Sequence, residues 1–246
     1  MYIETAGTTK FDRKLAAPCL KCPTRRHSIY AALSGDMLDD LFRRGHCLAL
    51  GRGETLMWEG EEALLVGTVR SGLLKITSMM SDGREQILGL AFPGDFVGRP
   101  FSRQATSSIT ALTDTTMCVF RGNVFDAFAG NHPELQHAVL LHALDELDRA
   151  RRWMMLLART SARERVASFL IEMADRAGAG DGEPVDIMLS RQQMADFLGL
   201  TIETVSRRLT ALRQARVVRL PDLRSFIILS RAALRDAAGD ALSLAA

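Results

Sequence analysis

Long apolar runs and cysteines are scarce in this sequence of 246 residues, and each absence narrows the class of protein. No apolar stretch approaches the roughly 18 residues of a membrane-spanning helix, which argues against a membrane protein. The N-terminal residues carry scattered charges and lack the apolar core of a secretory signal, so we expect a cytoplasmic protein. The four cysteines then indicate free thiols or metal ligands rather than disulfides, because that compartment is reducing.

Motifs for catalysis are missing as well. The sequence has no Ser-His-Asp set in a recognisable context, no phosphate-binding loop and no paired carboxylates on an evident cleft. We therefore do not expect an enzyme. A haem or small-ligand signalling module is an alternative from another class, but no haem motif surrounds the five histidines, which are His27, His46, His132, His137 and His142.

Charge is nearly balanced over the whole chain but is unevenly distributed. The formal net charge of +2 is too small to indicate a nucleic-acid partner. Residues 190–236, however, contain nine arginines and four acidic residues. A local excess of about +5 attracts a phosphate backbone, although a solvated helical surface would show the same excess.

Short strands separated by turns are predicted between about His46 and Phe120. Apolar and β-branched segments such as 64–69 and 72–77 alternate with turn signals. This spacing predicts an all-β barrel or sandwich. The turn signals lie at 51–53, 59–61, 81–83 and 93–95.

A change of hydrophobic period marks a long helix from His132 to Ala158. Apolar residues recur there three and four positions apart, and no glycine interrupts them. Such a helix is about 40 Å long, more than one small domain requires, so we expect part of its apolar stripe to meet a partner helix. Packing on its own domain is the alternative. The residues assigned to dimerisation are Leu140, Leu144, Leu147, Arg151 and Met154.

Two short helices joined by a glycine turn are predicted near the C-terminus. The first follows Ser190, a good N-cap, and Gly199 permits the left-handed conformation that ends it. The second runs from Ile202 to Gln214 and is capped by Thr201. In a helix-turn-helix of this kind the second helix lies in the major groove of DNA. Its inner face is expected to carry Ile202, Val205, Leu209 and Leu212.

The outer face of the second helix carries groups that can read DNA bases. A guanidinium pairs with O6 and N7 of guanine, and a carboxylate accepts from N4 of cytosine. Segments 217–220 and 225–229 are predicted to be the strands of a wing. An ordinary helical hairpin would lack the wing, so we favour DNA binding. The candidate DNA-binding residues are Thr201, Glu203, Thr204, Ser206, Arg207 and Arg208.

Two motifs carry a resemblance to a known family. Leu198-Gly-Leu-Thr-Ile-Glu-Thr-Val-Ser-Arg207 resembles the signature of the CRP/FNR superfamily of transcription regulators, and Gly94-Asp-Phe-Val-Gly98 is similar to part of its β-roll. The resemblance runs from Cys19 nearly to the C-terminus. It implies an α+β fold with a cysteine-containing segment (1–34), a cyclic-nucleotide-binding-like β-roll (35–130), a dimerisation helix (131–159) and a winged helix-turn-helix domain (160–246).

The resemblance is closest in character to the FNR and FnrL members. Glu203, Ser206 and Arg207 match the base-reading set of FNR and FixK, which implies that a homodimer reads double-stranded DNA at a palindrome of the TTGAT-N4-ATCAA type. The segments that resemble FnrL are 98–100, 145–148 and 152–154.

Two further expectations concern ligands and partners of the β-roll. The arginine that anchors a cyclic nucleotide in other members is missing from Gln104-Ala-Thr-Ser-Ser108, so cyclic AMP is not expected to bind. The turn Ser81-Asp-Gly-Arg84 is similar to surfaces that contact RNA polymerase in family activators, although a plain hairpin turn explains it equally well.

The four cysteines match the FNR pattern in part. FNR proteins hold an oxygen-labile [4Fe–4S] cluster, and Cys19, Cys22 and Cys118 correspond to three of its ligands. The third N-terminal cysteine is replaced at the candidate positions by His27, Ser28 or Tyr30. Cys47 is the remaining thiol, either as the fourth ligand or as a structural cysteine, and His27 or a carboxylate is the alternative fourth ligand. The alternative is a FixK-like regulator without a cluster, controlled by its abundance or by thiol oxidation.

Overall fold

The structure, a computed structural model, describes residues 15–18, 24 and 28–239, with the backbone alone at 15–18. This part of the chain forms two compact units. The first contains the described residues up to Gly83 together with Leu90–Ala143, and the second contains Arg84–Gly89 together with the described residues from Leu144 onward. The α+β fold is confirmed, whereas the division into four segments stays a prediction.

Short strands form two sheets, as the recurring turns predict. The first sheet contains β1 (Leu15–Pro18), β2 (His46–Leu50), β4 (Leu65–Ser71), β7 (Phe96–Val97) and β9 (Thr115–Arg121). The second contains β3 (Thr55–Met57), β5 (Leu74–Met79), β6 (Glu85–Ala91) and β8 (Ser108–Ala111). The strand orders are β1-β2-β9-β4-β7 and β3-β8-β5-β6. Neighbouring strands are short and mostly not consecutive in the sequence, as in a β-roll.

Strand β9 is buried on both faces. Successive side chains of a strand point to opposite faces, so Met117 and Val119 enter the core between the sheets while Cys118 and Phe120 enter a second core on the other side. Gly67 of β4 lies against this strand, where an added Cβ would come within 2.3 Å of the Cys118 carbonyl oxygen. A glycine is required there because the two backbones approach so closely.

Helices cover the second core. A one-turn 3-10 helix (Ile29–Ala32), α1 (Gly35–Arg44) and α2 (Gly122–Gly130) supply buried aromatic rings. The long helix α3 (Pro133–Arg159) follows, as the hydrophobic period predicts. Its first turns join the same core, because Leu135 is fully buried there and Val139 packs against it.

The second unit is small and rich in helices. Two serines cap helices with full capping boxes, Ser161 before α4 (Ala162–Ala177) and Ser190 before α5 (Arg191–Leu198). The other elements are β10 (Pro184–Asp186), α6 (Ile202–Gln214), β11 (Val218–Arg219), β12 (Ser225–Ile228) and α7 (Arg231–Ala238), and the strands form a sheet in the order β10-β12-β11. None of the helices in the described ranges combines the length and the apolar character needed to cross a bilayer.

Candidate DNA-reading surface and cysteine site

The turn between α5 and α6 is built by local hydrogen bonds. Ser190 accepts from the Gln193 backbone at 3.2 Å, and the Gln193 side chain accepts from the Ser190 backbone at 2.8 Å. Helix α5 ends at Gly199, whose φ of +61° is the left-handed conformation expected of it. Thr201 then caps α6 by accepting from the Thr204 backbone at 3.2 Å. The predicted helix-turn-helix is confirmed.

The inner face of α6 is formed by Val205, Leu209 and Leu212, which are buried. The prediction that Ile202 belongs to this face is wrong, because its side chain is 38% exposed. Ile202 is the first residue of the helix, so its side chain lies at the edge of the core although the helical period is correct.

The outer face of α6 carries the predicted base-reading groups at the surface. Glu203, Ser206 and Arg207 are exposed, and Thr204 is half-buried beside them. Arg207 donates from Nη2 to the Thr204 hydroxyl at 3.2 Å, which orients the guanidinium along the helix. Hydrogen bonds from the backbone N–H of Glu203 and from Thr201 lower the pKa of the Glu203 carboxyl, which stays ionised as an acceptor. Arg208 is exposed next to them.

The wing turn is held by one carboxylate. Asp222 accepts from the backbone N–H groups of Arg224 and Ser225 at 2.6 and 2.7 Å and from the Ser225 hydroxyl at 2.8 Å. These bonds, led by that from Arg224, lower the pKa of Asp222. The wing therefore has a fixed turn between β11 and β12 beside the exposed Arg224.

Two cysteines lie side by side in the first unit. Cys47 of β2 is directly opposite Cys118 of β9, and Thr68 of β4 is opposite Cys118 on its other side. Directly opposed residues of antiparallel strands share a face and have Cβ atoms about 5 Å apart. Cys118 is buried and Cys47 is partly exposed. The thiol of Cys47 accepts a hydrogen bond from Nη1 of Arg70 at 3.0 Å, a neighbour that the sequence analysis missed although it is a lone arginine in an apolar strand.

Cys19 and Cys22 lie outside the described residues, but residues on either side of them are described. Pro18 pairs with His46 of β2, which precedes Cys47. Thr24 donates its hydroxyl to the Val69 carbonyl of β4 at 3.4 Å. Both flanks of the Cys19–Cys22 segment therefore lie along the sheet that carries the other two cysteines.

Of the three candidate positions for the missing N-terminal cysteine, His27 lies outside the described residues, whereas Ser28 and Tyr30 are described. Tyr30 is fully buried, with its ring edge-on to Phe42 and Phe120 at centroid distances of 5.3 and 6.0 Å. Within the described ranges, no three His, Cys, Asp or Glu side chains form a group that could hold a metal ion. The described residues thus supply two neighbouring thiols.

The proposed dimerisation stripe is at the surface of the single chain. Leu140, Leu144, Leu147 and Met154 of α3 are between 44% and 69% exposed. Arg151 interrupts them and pairs with Asp148 at 3.2 Å, an exposed ion pair of small energetic value. An exposed apolar stripe of this length indicates an interaction surface.

Comparisons with known proteins agree with this architecture. A Crp-like helix-turn-helix domain matches residues 164–237, and a cyclic nucleotide-binding domain matches residues 48–132. The transcriptional activator protein FnrL of Cereibacter sphaeroides is 39% identical over 228 residues, which cover 90% of this chain and 92% of FnrL. The nitrogen fixation regulation protein FixK of Bradyrhizobium diazoefficiens is 36% identical over 198 residues, covering 80% and 84% of the two chains.

A solved structure has the same fold. FixK2 from Bradyrhizobium japonicum superposes with a TM-score of 0.73 at 29% identity, covering 78% of this chain and 96% of FixK2. These proteins are transcription regulators and not enzymes. The winged helix-turn-helix, the β-roll and the extent of these matches show that the chain belongs to the CRP/FNR family of DNA-binding transcription regulators.

Proposed function

We propose that this regulator is an oxygen sensor of the FNR type. It acts in the cytoplasm as a homodimer, reads a TTGAT-N4-ATCAA-like palindrome and holds a [4Fe–4S] cluster on Cys19, Cys22, Cys47 and Cys118. The observation that carries the proposal is the direct opposition of Cys47 and Cys118 on the sheet to which both flanks of the Cys19–Cys22 segment are attached.

The thiols present fit such a cluster. Fe–S clusters are bound by four thiolates, and the chain contains four cysteines. Cys47 replaces the missing N-terminal cysteine because its strand pairing brings it to Cys118, and Arg70 donates to its sulfur as hydrogen-bond donors do to cluster ligands. When bound, the cluster supplies an oxygen-labile link among these four residues, as the resemblance to FNR implies.

A packed core connects the cysteine site to the dimerisation helix. Cys118 belongs to the core that contains Leu135 of α3, and Cys47 and Val139 pack against the same core. A change in how the thiols are bound therefore changes the packing of the first turns of α3. These turns lead directly into Leu140 and the rest of the exposed stripe. Release of the thiols weakens the pairing of α3 and hence the binding of two half-sites at once.

The second candidate is a FixK-like regulator that responds to thiol oxidation without a cluster. It is favoured by the burial of Tyr30 in place of a third N-terminal cysteine. The cross-strand pair of Cys47 and Cys118 is then the thiol pair that an oxidant such as a peroxide converts to a disulfide.

One experiment separates the two candidates. The protein is purified without oxygen, its visible absorption and its iron and sulfide contents are measured, and binding to the palindrome is followed as air is admitted. We expect a brown protein that bleaches and releases the duplex. A colourless protein that binds equally with and without air contradicts the cluster. If a colourless protein instead loses DNA binding on peroxide treatment and recovers it in dithiothreitol, the result supports thiol oxidation.

The base-reading role of α6 has its own test. Arg207→Ala removes from each half-site a guanidinium contact to guanine worth about 1–3 kcal/mol, so affinity for the palindrome is expected to fall by tenfold or more. Arg213→Ala is the control, because it removes the same charge from the last turn of the same helix. Binding is measured at one fixed salt concentration to the palindrome and to an unrelated duplex. Equal losses for the two variants would contradict base reading by Arg207.

The turn Ser81–Arg84 is exposed, and we propose it as the RNA polymerase contact of an activator. Cyclic AMP is not part of the proposal, since the anchoring arginine is missing from 104–108.

A further inference from the structure

One arginine of α4 joins the ends of two other helices. Arg165 donates from Nη2 to the Leu157 carbonyl at 2.7 Å and from Nε to the Thr160 carbonyl at 3.2 Å, both at the end of α3. Its third donor, Nη1, reaches the carbonyl of Leu198, the last residue of α5, at 3.2 Å. A single guanidinium thus contacts three carbonyls on two segments that are far apart in sequence.

These carbonyls are suitable partners for a cation. The last carbonyls of a helix lack partners within the helix, and they carry the negative end of its dipole. Arg165 satisfies such groups at the ends of both α3 and α5. Only an arginine has a planar fork with enough donors in fixed directions to do this, because a lysine is a single point donor.

Apolar packing supports the same junction. Trp153 of α3 lies edge-on to Phe197 of α5 with ring centroids 4.5 Å apart, and Phe169 of α4 is also edge-on to Phe197, at a centroid distance of 6.0 Å. A Cβ added to Gly199 would lie 3.6 Å from Nη1 of Arg165 and 3.7 Å from Leu157. The last turns of α3 therefore pack closely on α5, and only the short turn at Gly199 separates α5 from α6.

We infer that Arg165 is a positioning residue that fixes the direction of the reading helix α6 relative to α3. The inference rests on the proposed function, in which two α3 helices pair. Once they pair, the direction of α6 sets the separation of the two reading helices and hence the half-site spacing that the dimer accepts. Arg165 acts on spacing selectivity and touches neither DNA nor the partner chain.

The test compares Arg165→Met and Arg165→Lys with Arg163→Met. The control removes the same charge from an exposed position in the same turn of α4. Affinities are measured for the TTGAT-N4-ATCAA duplex, for duplexes with one base pair more or fewer between the half-sites, and for a single half-site.

We expect both Arg165 variants to bind the N4 duplex about tenfold more weakly, the loss typical of charged hydrogen bonds. Their preference for N4 over the altered spacings is expected to fall toward a ratio of one, with half-site affinity and dimerisation unchanged. Arg163→Met should behave as the parent. The inference is overturned if the Arg165 variants keep the spacing preference of the parent. It is also overturned if their affinity for the single half-site falls as much as their affinity for the N4 duplex. A parent protein without any spacing preference contradicts the proposed function instead.

A measurement without DNA tests the role of Arg165 separately from the proposed function. The chain has two tryptophans, so Trp58→Phe leaves Trp153 as the only one. In this background, Arg165→Met and Arg165→Lys should shift the Trp153 emission to the red and increase its quenching by acrylamide, because the contact with Phe197 loosens. If the parent, the Arg165 variants and Arg163→Met have identical emission, Arg165 does not hold the junction. This conclusion is independent of the DNA-binding results.

Discussion

Replacing Leu144 and Leu147 together by aspartate is expected to leave the protein monomeric and to weaken its binding to the palindrome by about 100-fold or more. Both leucines are exposed in the single chain, so their loss costs the folded monomer little. In a paired α3 each would bury a side chain worth about 1.5–3 kcal/mol. The four aspartates of a dimer would instead face each other without partners. Half-sites would then be bound one at a time.

Sedimentation and duplex binding measure this effect, and Arg152→Asp is the matched control. That single substitution changes the charge of α3 by the same two units, but at an exposed position off the apolar stripe. It should leave the dimer intact. A double aspartate variant that still sediments as a dimer would mean that another surface holds the two chains together.

The features predicted correctly from the sequence are those encoded locally. Ser190 caps α5 through bonds to a residue three positions away, and Gly199 ends α5 by its own backbone conformation. Helix α3 follows from a period repeated over many turns. The prediction for Ile202 was wrong because the period gives the direction of a side chain but not where the core ends.

The contacts that sequence reasoning missed join distant parts of the chain. Cys47 and Cys118 are neighbours because of the register between β2 and β9, which both cores determine together and no local motif encodes. The pairing of β4 with the other edge of β9 brings the Arg70 side chain to Cys47. Arg165 binds carbonyls 8 residues before it and 33 residues after it, and backbone carbonyls leave no signature in a sequence.

The cysteine site and the first turns of α3 share one core, which supports the proposed route from the thiols to DNA. The core around Cys118 also receives Leu135, with Val139 packed against it, and the exposed stripe begins one residue later at Leu140. Well-packed cores respond to a local change by shifting neighbours rather than by absorbing it. We therefore propose that the thiols act on the pairing of α3 and that the junction at Arg165 carries the direction of α3 to α6.

Replacing Cys118 by alanine is expected to abolish the brown colour, the bound iron and the response of DNA binding to air. Cys118 is fully buried and opposite Cys47, so no other residue can take its place in the sheet without moving a strand. Alanine is preferred to serine, since a buried hydroxyl without a partner costs about 1–3 kcal/mol. Iron content, the visible spectrum and binding to the palindrome before and after air are the measurements.

Thr68→Val is the control for this substitution. Thr68 lies opposite Cys118 in the neighbouring strand, and its buried hydroxyl makes no hydrogen bond to any residue in the described ranges, so valine should preserve both the fold and the colour. Cys47→Ala should match Cys118→Ala, because the proposed cluster needs both thiols of the pair. A brown, air-sensitive Cys118→Ala protein would contradict the ligand set. A Cys47→Ala protein that keeps full colour would show that another residue supplies the fourth ligand.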